Sequence, residues 1–256
     1  MNKLLGTTLL ATVFTLTAGA ALAADMVRET RAVDARVTRV KLDGVVDLVV
    51  RQGAKPSLVL SGEREELARV TTQQRGETLE IDTERRNNWN LNNRNSRLRA
   101  ELTVPNLTEF VSEGVGASTI SGFNGDKIVL ALDGAGAVTL TASYRNIDAR
   151  LGGVGSLTID VPKAERMDLA LRGAGKLAVT GQTRALNATL AGLGSLDAEQ
   201  LRAETVDLDM SGLGGATVYA SSAIDVNLSG MGSATVYGKP AQRNATTGGM
   251  GKVNWR

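Results

Sequence analysis

The chain of 256 residues contains no cysteine and no histidine. The absence of both residue types excludes a disulfide framework, Ser-His-Asp or Cys-His catalysis, and the usual zinc and iron ligand sets. Aromatic residues make up only 3% of the chain. Large aromatic side chains normally fill a globular core, so a core with so few of them must be thin and aliphatic. The composition predicts no cofactor and gives no sign of an enzyme.

The charges are nearly balanced, with 29 Lys and Arg against 27 Asp and Glu. Nucleic-acid-binding domains usually carry a concentrated basic face, and no such excess is present. We therefore expect no nucleic-acid partner.

The first residues have the pattern of an export signal. Met1-Asn2-Lys3 supplies a positive start, and the following apolar run ends in Ala21-Leu22-Ala23, a small-x-small cleavage pattern. The alternative is a transmembrane anchor, since the run has nearly the right length. We expect cleavage after residue 23, export to the periplasm or the medium, and no membrane span after cleavage.

The second half of the chain carries an internal repeat. Apolar residues alternate with polar ones, as in Met167-x-Leu169-x-Leu171, which is typical of strands with one buried face. Each repeat is predicted to be a strand, a glycine corner and a second strand. The corners are Gly-apolar-Gly tripeptides at intervals of 18 to 20 residues: 114–116, 134–136, 153–155, 173–175, 192–194, 212–214, 230–232 and 249–251.

Repeats of this length predict an all-β fold, a right-handed parallel β-helix with coils of about 19–20 residues. A unit of this size cannot bury its own inner face, so it must stack on its neighbours. Glycine suits the corners because a sharp turn needs positive φ or a close backbone approach. We expect the apolar residue between the glycines to point inward. One domain is predicted over 24–256, with irregular opening coils in 36–110 and regular repeats in 111–256.

The opening coils contain one predicted helical turn, within Glu63–Val70, and one unusual segment. Residues 84–97 hold four Arg, six Asn and one Trp. One interpretation is a solvated polar loop. The alternative is a contact loop for an anionic or glycan surface. Its candidate anchors are Arg85, Arg86, Trp89 and Arg94.

A polar column is predicted on the outer face of the strands that lead into the corners. The position five residues before each corner is occupied in order by Val129, Asp148, Asp168, Asn187, Asp207, Asp225 and Asn244. One interpretation is a solubilising, laterally bonded ladder. Stacked carboxylates about 5 Å apart would also suit a retaining glycosidase. The candidate ligand face is Asp148, Asp168, Asn187, Asp207 and Asp225.

A second outer column follows the corners. Its members are Thr119, Thr139, Thr158, Ala178, Asp197, Thr217, Thr235 and Asn254. Threonine suits an exposed strand, which is a sufficient explanation. A flat threonine array could also order water or bind ice, but Ala178 and Asp197 interrupt it.

Several segments resemble a known family. They are Val40–Gly53, then Leu58-Val59-Leu60-Ser61-Gly62, and Val104-Pro105-Asn106-Leu107-Thr108 leading to Ser112-Glu113-Gly114-Val115-Gly116. The chain resembles the head GIN domain of autotransporter adhesins over residues 36–256. The resemblance implies an exported, β-helical, non-enzymatic protein, and it supplies no catalytic residue.

Three classes of function fit these patterns. The first is an exported, non-catalytic binding or adhesion-type module of the cell envelope, with a glycan or another envelope component as partner. The second is a carbohydrate-active enzyme, a polysaccharide lyase or hydrolase, that uses the outer Asp column. The third is an ice- or surface-binding array. Repetition and the missing catalytic residue types favour the first class.

Overall fold

The computed structural model describes residues 26–83 and 98–256. The predicted export signal, residues 1–23, lies outside the described residues. Within them the chain forms one continuous sheet wound into stacked coils, a β-solenoid of about seven turns. The predicted all-β parallel β-helix is therefore confirmed.

Strands make up 76% of the described chain, and one short helix is present in it. The opening elements are β1 (Met26–Arg31), β2 (Arg39–Leu42), β3 (Asp47–Gln52), β4 (Ser57–Glu63), α1 (Arg64–Leu67), β5 (Val70–Arg75), β6 (Thr78–Thr83), β7 (Arg99–Val104) and β8 (Glu109–Ser112). The later elements are β9 (Val115–Leu132), β10 (Ala135–Leu151), β11 (Val154–Leu171), β12 (Ala174–Leu190), β13 (Leu193–Met210), β14 (Leu213–Leu228), β15 (Ser233–Tyr237), β16 (Gln242–Thr247) and β17 (Lys252–Trp255).

The regular coils are the long strands β9 to β14, which pair in parallel in chain order. Their register places equivalent positions side by side, so that Gly136 lies beside Gly155 and Asp148 beside Asp168. Each long strand bends around most of one coil and ends at a corner. One sequence repeat therefore forms one coil of the solenoid, and equivalent positions of successive repeats stack into columns along the axis.

The opening part departs from simple stacking in chain order. The coil made by β2 and β3 pairs in parallel with β8 and β9 on one side and with β6 and β7 on the other. Between β3 and β8 the chain makes an excursion in which β4 runs antiparallel to β1 and β7, and β5 and β6 form a hairpin. The predicted helical turn is α1, between β4 and β5.

The core is a narrow column of aliphatic side chains along the axis. Leu140, Ile159 and Val179 stack from coil to coil, and each is at most 2% exposed. Burying a side chain of this size stabilises the fold by about 1.5–3 kcal/mol. The larger buried side chains near the opening coils include Phe110 and Tyr144. The hydroxyl of Tyr144 donates a hydrogen bond to the carbonyl oxygen of Leu107 at 2.6 Å.

The last coil replaces apolar residues by polar ones at inward positions. Arg243 pairs in register with Ile224, and Thr247 with Leu228. The Arg243 guanidinium lies 5.4 Å from the centre of the Trp255 ring, and its Nε donates to the carbonyl oxygen of Pro240 at 2.9 Å. Arg243 and the rest of β16 are exposed, and a charged side chain on an exposed strand discourages edge-to-edge pairing with another sheet.

Candidate binding surface

The main exposed apolar feature is a row of residues along the glycine corners. Exposure of its larger members ranges from 45% for Leu213 to 79% for Met250. Seven of the nine large hydrophobic side chains exposed in the described ranges belong to this row. We call it the corner stripe. Its members are Val45, Val115, Ala135, Val154, Ala174, Leu193, Leu213, Met231 and Met250.

The expectation that these corner residues point inward is wrong. The period-two alternation of the strands continues through each corner without interruption. In one coil Leu151, Gly153, Gly155 and Leu157 share the inner parity, so Val154 takes the outer parity and is 61% exposed. The glycines occupy the inside of the corner and the apolar residue faces solvent.

Glycine is required inside the corner because neighbouring coils approach closely there. The amide of Val154 donates to the carbonyl oxygen of Gly134 at 2.9 Å, and a Cβ atom on Gly153 would overlap that same oxygen. Gly155 has a φ of +145°, a conformation that other residues rarely adopt. The stripe is thus carried by a hydrogen-bonded backbone, with one member in every coil.

The first stripe residue, Val45, was missed by the sequence analysis. It forms a parallel bridge with Val115, and a Cβ atom on Gly114 would overlap the carbonyl oxygen of Gly44. The corner of the β2–β3 coil has the buried Val46 in the place of the second glycine. Alignment of Asp43-Gly44-Val45 with Glu113-Gly114-Val115 is the signal that identifies it.

The C-terminal part of the stripe lies in a shallow groove with a volume of about 710 Å³. The six stripe residues from Val154 to Met250 line it, which corresponds to a length of roughly 24 Å at about 4.8 Å per coil. The residue before each corner forms one wall. Except for Arg172, the wall residues are small: Gly152, Ala191, Ser211 and Ser229.

Several charged groups beside the stripe are neutralised by ion pairs. The pairs are Lys41–Glu113 at 2.9 Å, Arg150–Asp133 at 2.8 Å and Lys176–Asp197 at 2.8 Å. Arg172 differs from them. It stands between Gly152 and Ala191 in the stack, and no ion pair joins it to any residue in the described ranges. It is the one charged residue in the lining of the groove as described.

The predicted ligand face occupies the outer side of the strands that lead into the corners. The register stacks its members in successive coils: Asp148, Asp168, Asn187, Asp207 and Asp225. Amides bridge the carboxylates laterally. Nδ2 of Asn187 donates to Asp168 at 2.6 Å, and Nδ2 of Asn244 donates to Asp225 at 3.0 Å. The column is therefore a hydrogen-bonded ladder in these coils.

The pKa values of two carboxyl groups in this column are shifted in opposite directions. Hydrogen bonds from Arg166, and then from Asn187, hold the pKa of Asp168 below its ordinary value despite some desolvation. Desolvation, followed by the charges of Asp209 and Asp225, raises the pKa of Asp207. Hydrogen bonds thus favour the charged form of Asp168, whereas desolvation and the neighbouring carboxylates disfavour the charged form of Asp207.

The column borders a depression of about 440 Å³ beside Asp225, and none of the residues that line this depression is aromatic. Tyr219 and Tyr237 are not part of this lining. They pair with each other in adjacent coils. The Arg202 guanidinium covers the Tyr219 ring at 4.2 Å from its centre. That ring face is therefore occupied by a cation and not open to a sugar.

The candidate contact loop, with Arg85, Arg86, Trp89 and Arg94, lies outside the described residues. Across 26–83 and 98–256, carboxylates form no group of three or more that would suit a metal ion. The same stretches contain no helix with the length and apolar character needed to cross a bilayer.

These features define a class of protein, a parallel β-solenoid whose outer surface is built of repeated side-chain columns. The chain belongs to the family described as "Putative auto-transporter adhesin, head GIN domain", which matches residues 36–240. The family resemblance seen in the sequence is confirmed.

Solved structures share this fold. An adhesin-type protein from Bacteroides fragilis is 20% identical, with a TM-score of 0.67 over 91% of this chain and 98% of the other. One from Parabacteroides merdae is 15% identical, with a TM-score of 0.78 over 90% and 96%. A Parabacteroides distasonis protein described as "Putative lipid binding protein" is 19% identical, with a TM-score of 0.76 over 90% and 96%. The chain matches no curated protein.

Proposed function

We propose that this protein is an exported, non-catalytic binding module of the cell envelope and that the corner stripe is its contact surface. The observation that carries the proposal is the concentration of exposed large hydrophobic side chains in one row. Contiguous exposed apolar surface of this kind marks interaction sites. The adhesin-type family supports a binding role.

The chemistry of the stripe favours an aliphatic partner. Its members are Val, Ala, Leu and Met, and none is aromatic. Recognition of a glycan would call for rings on which sugars stack, whereas aliphatic side chains bury apolar surface. An apolar portion of an envelope component therefore fits the stripe better than a glycan does. The related fold described as lipid binding is consistent with this choice.

Localisation in the proposal rests on the predicted export signal. Expression with the native N-terminus in a bacterial host should yield a periplasmic or extracellular protein that begins at Ala24. Intact-mass measurement of the exported protein checks this. Retention of residues 1–23 in the membrane fraction would contradict the exported state.

Binding to the envelope can be tested by co-sedimentation of the purified domain with washed bacterial envelope fragments. A stripe variant carrying Leu193→Asn, Leu213→Asn and Met231→Gln should lose most of the bound fraction, because three apolar contacts are replaced by polar groups. The matched control changes the outer column instead, with Asp148→Asn, Asp168→Asn, Asp207→Asn and Asp225→Asn. The column variant should bind as the unmodified protein does.

Circular dichroism verifies that both variants are folded before binding is compared. Unchanged binding of the folded stripe variant would refute the proposed contact surface. Loss of binding in the column variant alone would show that the contact surface is the Asp column and not the stripe. Turnover of an envelope polysaccharide that disappears with one Asp substitution would establish the enzyme alternative.

A further inference from the structure

We infer that the groove binds a single-chain anionic amphiphile, with its anionic group at Arg172 and its aliphatic tail along the stripe toward Met250. The inference rests on the proposed function, because it names the chemistry of the partner for the same stripe. It adds a ligand class, an orientation and an anchoring residue.

The width of the groove selects a single chain. Each coil contributes one stripe side chain, and the adjoining corner positions are glycines such as Gly192 and Gly212, which carry no side chain. The apolar floor is therefore one side chain wide. A stable contact between two proteins needs about 800 Å² from each partner, which a floor this narrow does not supply.

The length of the groove fits one lipid-like tail. Four coil spacings separate Ala174 from Met250, or roughly 19 Å at about 4.8 Å per coil. The hydrocarbon core of a bilayer is about 30 Å thick and holds two opposed tails, so one tail extends about 15 Å. A tail that begins beside Arg172 thus ends within the described groove.

The stripe residues change in size in the direction that a tail would follow. Ala174 is small, Leu193 and Leu213 are larger, and Met231 and Met250 are long and flexible. Methionine adapts its shape to irregular apolar partners. The part of the groove farthest from Arg172 therefore provides most of the aliphatic contact.

Arg172 sets the charge of the ligand and its direction. Its neighbours in the wall are Gly152 and Ala191, so no acidic residue stands beside it in the adjacent coils. The nearest acidic wall position is Asp133, two coils away, which already pairs with Arg150. A guanidinium without a partner can bind a carboxylate or phosphate through two parallel hydrogen bonds.

The experiment uses two probes with the same tail, laurate and monolauroylglycerol, of which only laurate is charged. Calorimetric titration below the micelle concentration measures each affinity for the mature protein. Arg172→Gln should weaken laurate binding about tenfold, because a charge-assisted contact is lost, and should change monolauroylglycerol binding by less than about twofold. Lys252→Gln is the matched control, since Lys252 is a cation beside the opposite end of the stripe.

A third variant tests the tail. Leu213→Asn should weaken both probes several-fold, and Met231→Gln serves as a second variant if the first is not folded. Equal effects of Arg172→Gln on both probes, or no effect on either, would overturn the inference. A laurate effect confined to Lys252→Gln would also overturn it, because the orientation would be reversed.

Other occupants give different results. A dimer that Leu213→Asn dissociates in sedimentation velocity would make a second copy the occupant and refute the inference. Binding of anionic vesicles without binding of monomeric laurate would refute it in favour of a membrane surface. If neither probe binds but the stripe variant still loses envelope binding, this inference fails and the proposed function stands. If envelope binding is unchanged in the stripe variant, the proposed function itself fails.

Discussion

A Cβ atom on Gly212 would overlap the carbonyl oxygen of Gly192 in the preceding coil. The φ of Gly212 is not positive, so the need for glycine does not come from a left-handed conformation. It comes from the distance between two backbones that are hydrogen-bonded through the corner. Every later corner that repeats this contact requires a small residue at the same place.

Gly212→Ala is expected to destabilise the protein by about 2–3 kcal/mol, because the backbone must shift to admit the methyl group. Gly248→Ala is the matched control, since no atom lies within 4 Å of the added Cβ. Urea unfolding followed by circular dichroism gives the two midpoints. Equal midpoints for both variants would contradict the close approach at Gly212.

Leu193 and Leu196 provide a direct test of the exposed stripe. Both leucines lie in one coil, but Leu193 is 57% exposed and Leu196 is 2% exposed. Leu196→Ala should cost about 2–5 kcal/mol because it leaves a cavity in the core. Leu193→Ala should change the stability by less than about 0.5 kcal/mol. Comparable losses of stability for the two variants in thermal or urea unfolding would mean that Leu193 is buried and would contradict the exposed stripe.

Tyr144 joins the core to a buried backbone carbonyl. Removal of its hydroxyl in Tyr144→Phe leaves the Leu107 oxygen without this donor, which should cost about 1–3 kcal/mol. Tyr219→Phe is the control, because Tyr219 is only partly buried. An unchanged unfolding free energy for Tyr144→Phe would mean that water replaces the lost donor.

Burial raises the pKa of Tyr144 above its ordinary value. A group whose pKa is higher in the folded protein stabilises the fold fully below its unfolded pKa, and this contribution is lost as the pH rises. The unfolded pKa of tyrosine is about 10. The stability of the protein should therefore fall above about pH 10, and Tyr144→Phe should fall less steeply over the same window. Parallel curves for the two proteins would contradict this.

Asp168 and Asp207 should respond to pH with opposite signs. The lowered pKa of Asp168 means that its charged form stabilises the fold above the unfolded pKa, so Asp168→Asn should destabilise at neutral pH and lose its effect in acid. The raised pKa of Asp207 means the reverse, so Asp207→Asn should stabilise slightly at neutral pH. Solvent screening limits each effect to about 0.5 kcal/mol. Unfolding midpoints at neutral and acidic pH measure both, and effects of the same sign would refute the assignment.

The parallel β-helix could be predicted because its signals are local and repeated. Alternation such as Met167-x-Leu169-x-Leu171 fixes which side chains are buried, and the interval between glycines fixes the length of a coil. The same alternation and repeat length also predict the polar column that contains Asp168 and Asn187. Its lateral hydrogen bonds are the ladder that one interpretation expected.

The outward orientation of the corner residues differs from the prediction for an identifiable reason. Treating each corner as an interruption of the strand assigns the residue between two glycines to the interior. Alternation in fact continues from Leu151 through Gly153 and Gly155 to Leu157, which places Val154 outside. Extending the period of two across the corner would have predicted the stripe from sequence.

The sequence by itself determined the strands, the coil length and the parity of each side chain, because these depend on neighbours in the chain. The likeness of Asp43-Gly44-Val45 to Glu113-Gly114-Val115 marks Val45 as a corner residue, but only the tertiary structure decided that these two corners hydrogen-bond directly to each other, across the whole excursion from β4 to β7. It also decided that Arg172 stands without an ionic partner in the described groove, while Lys176 pairs with Asp197. Such relationships depend on which coils hydrogen-bond to each other, and backbone pairing between distant segments leaves no periodic signal in the sequence.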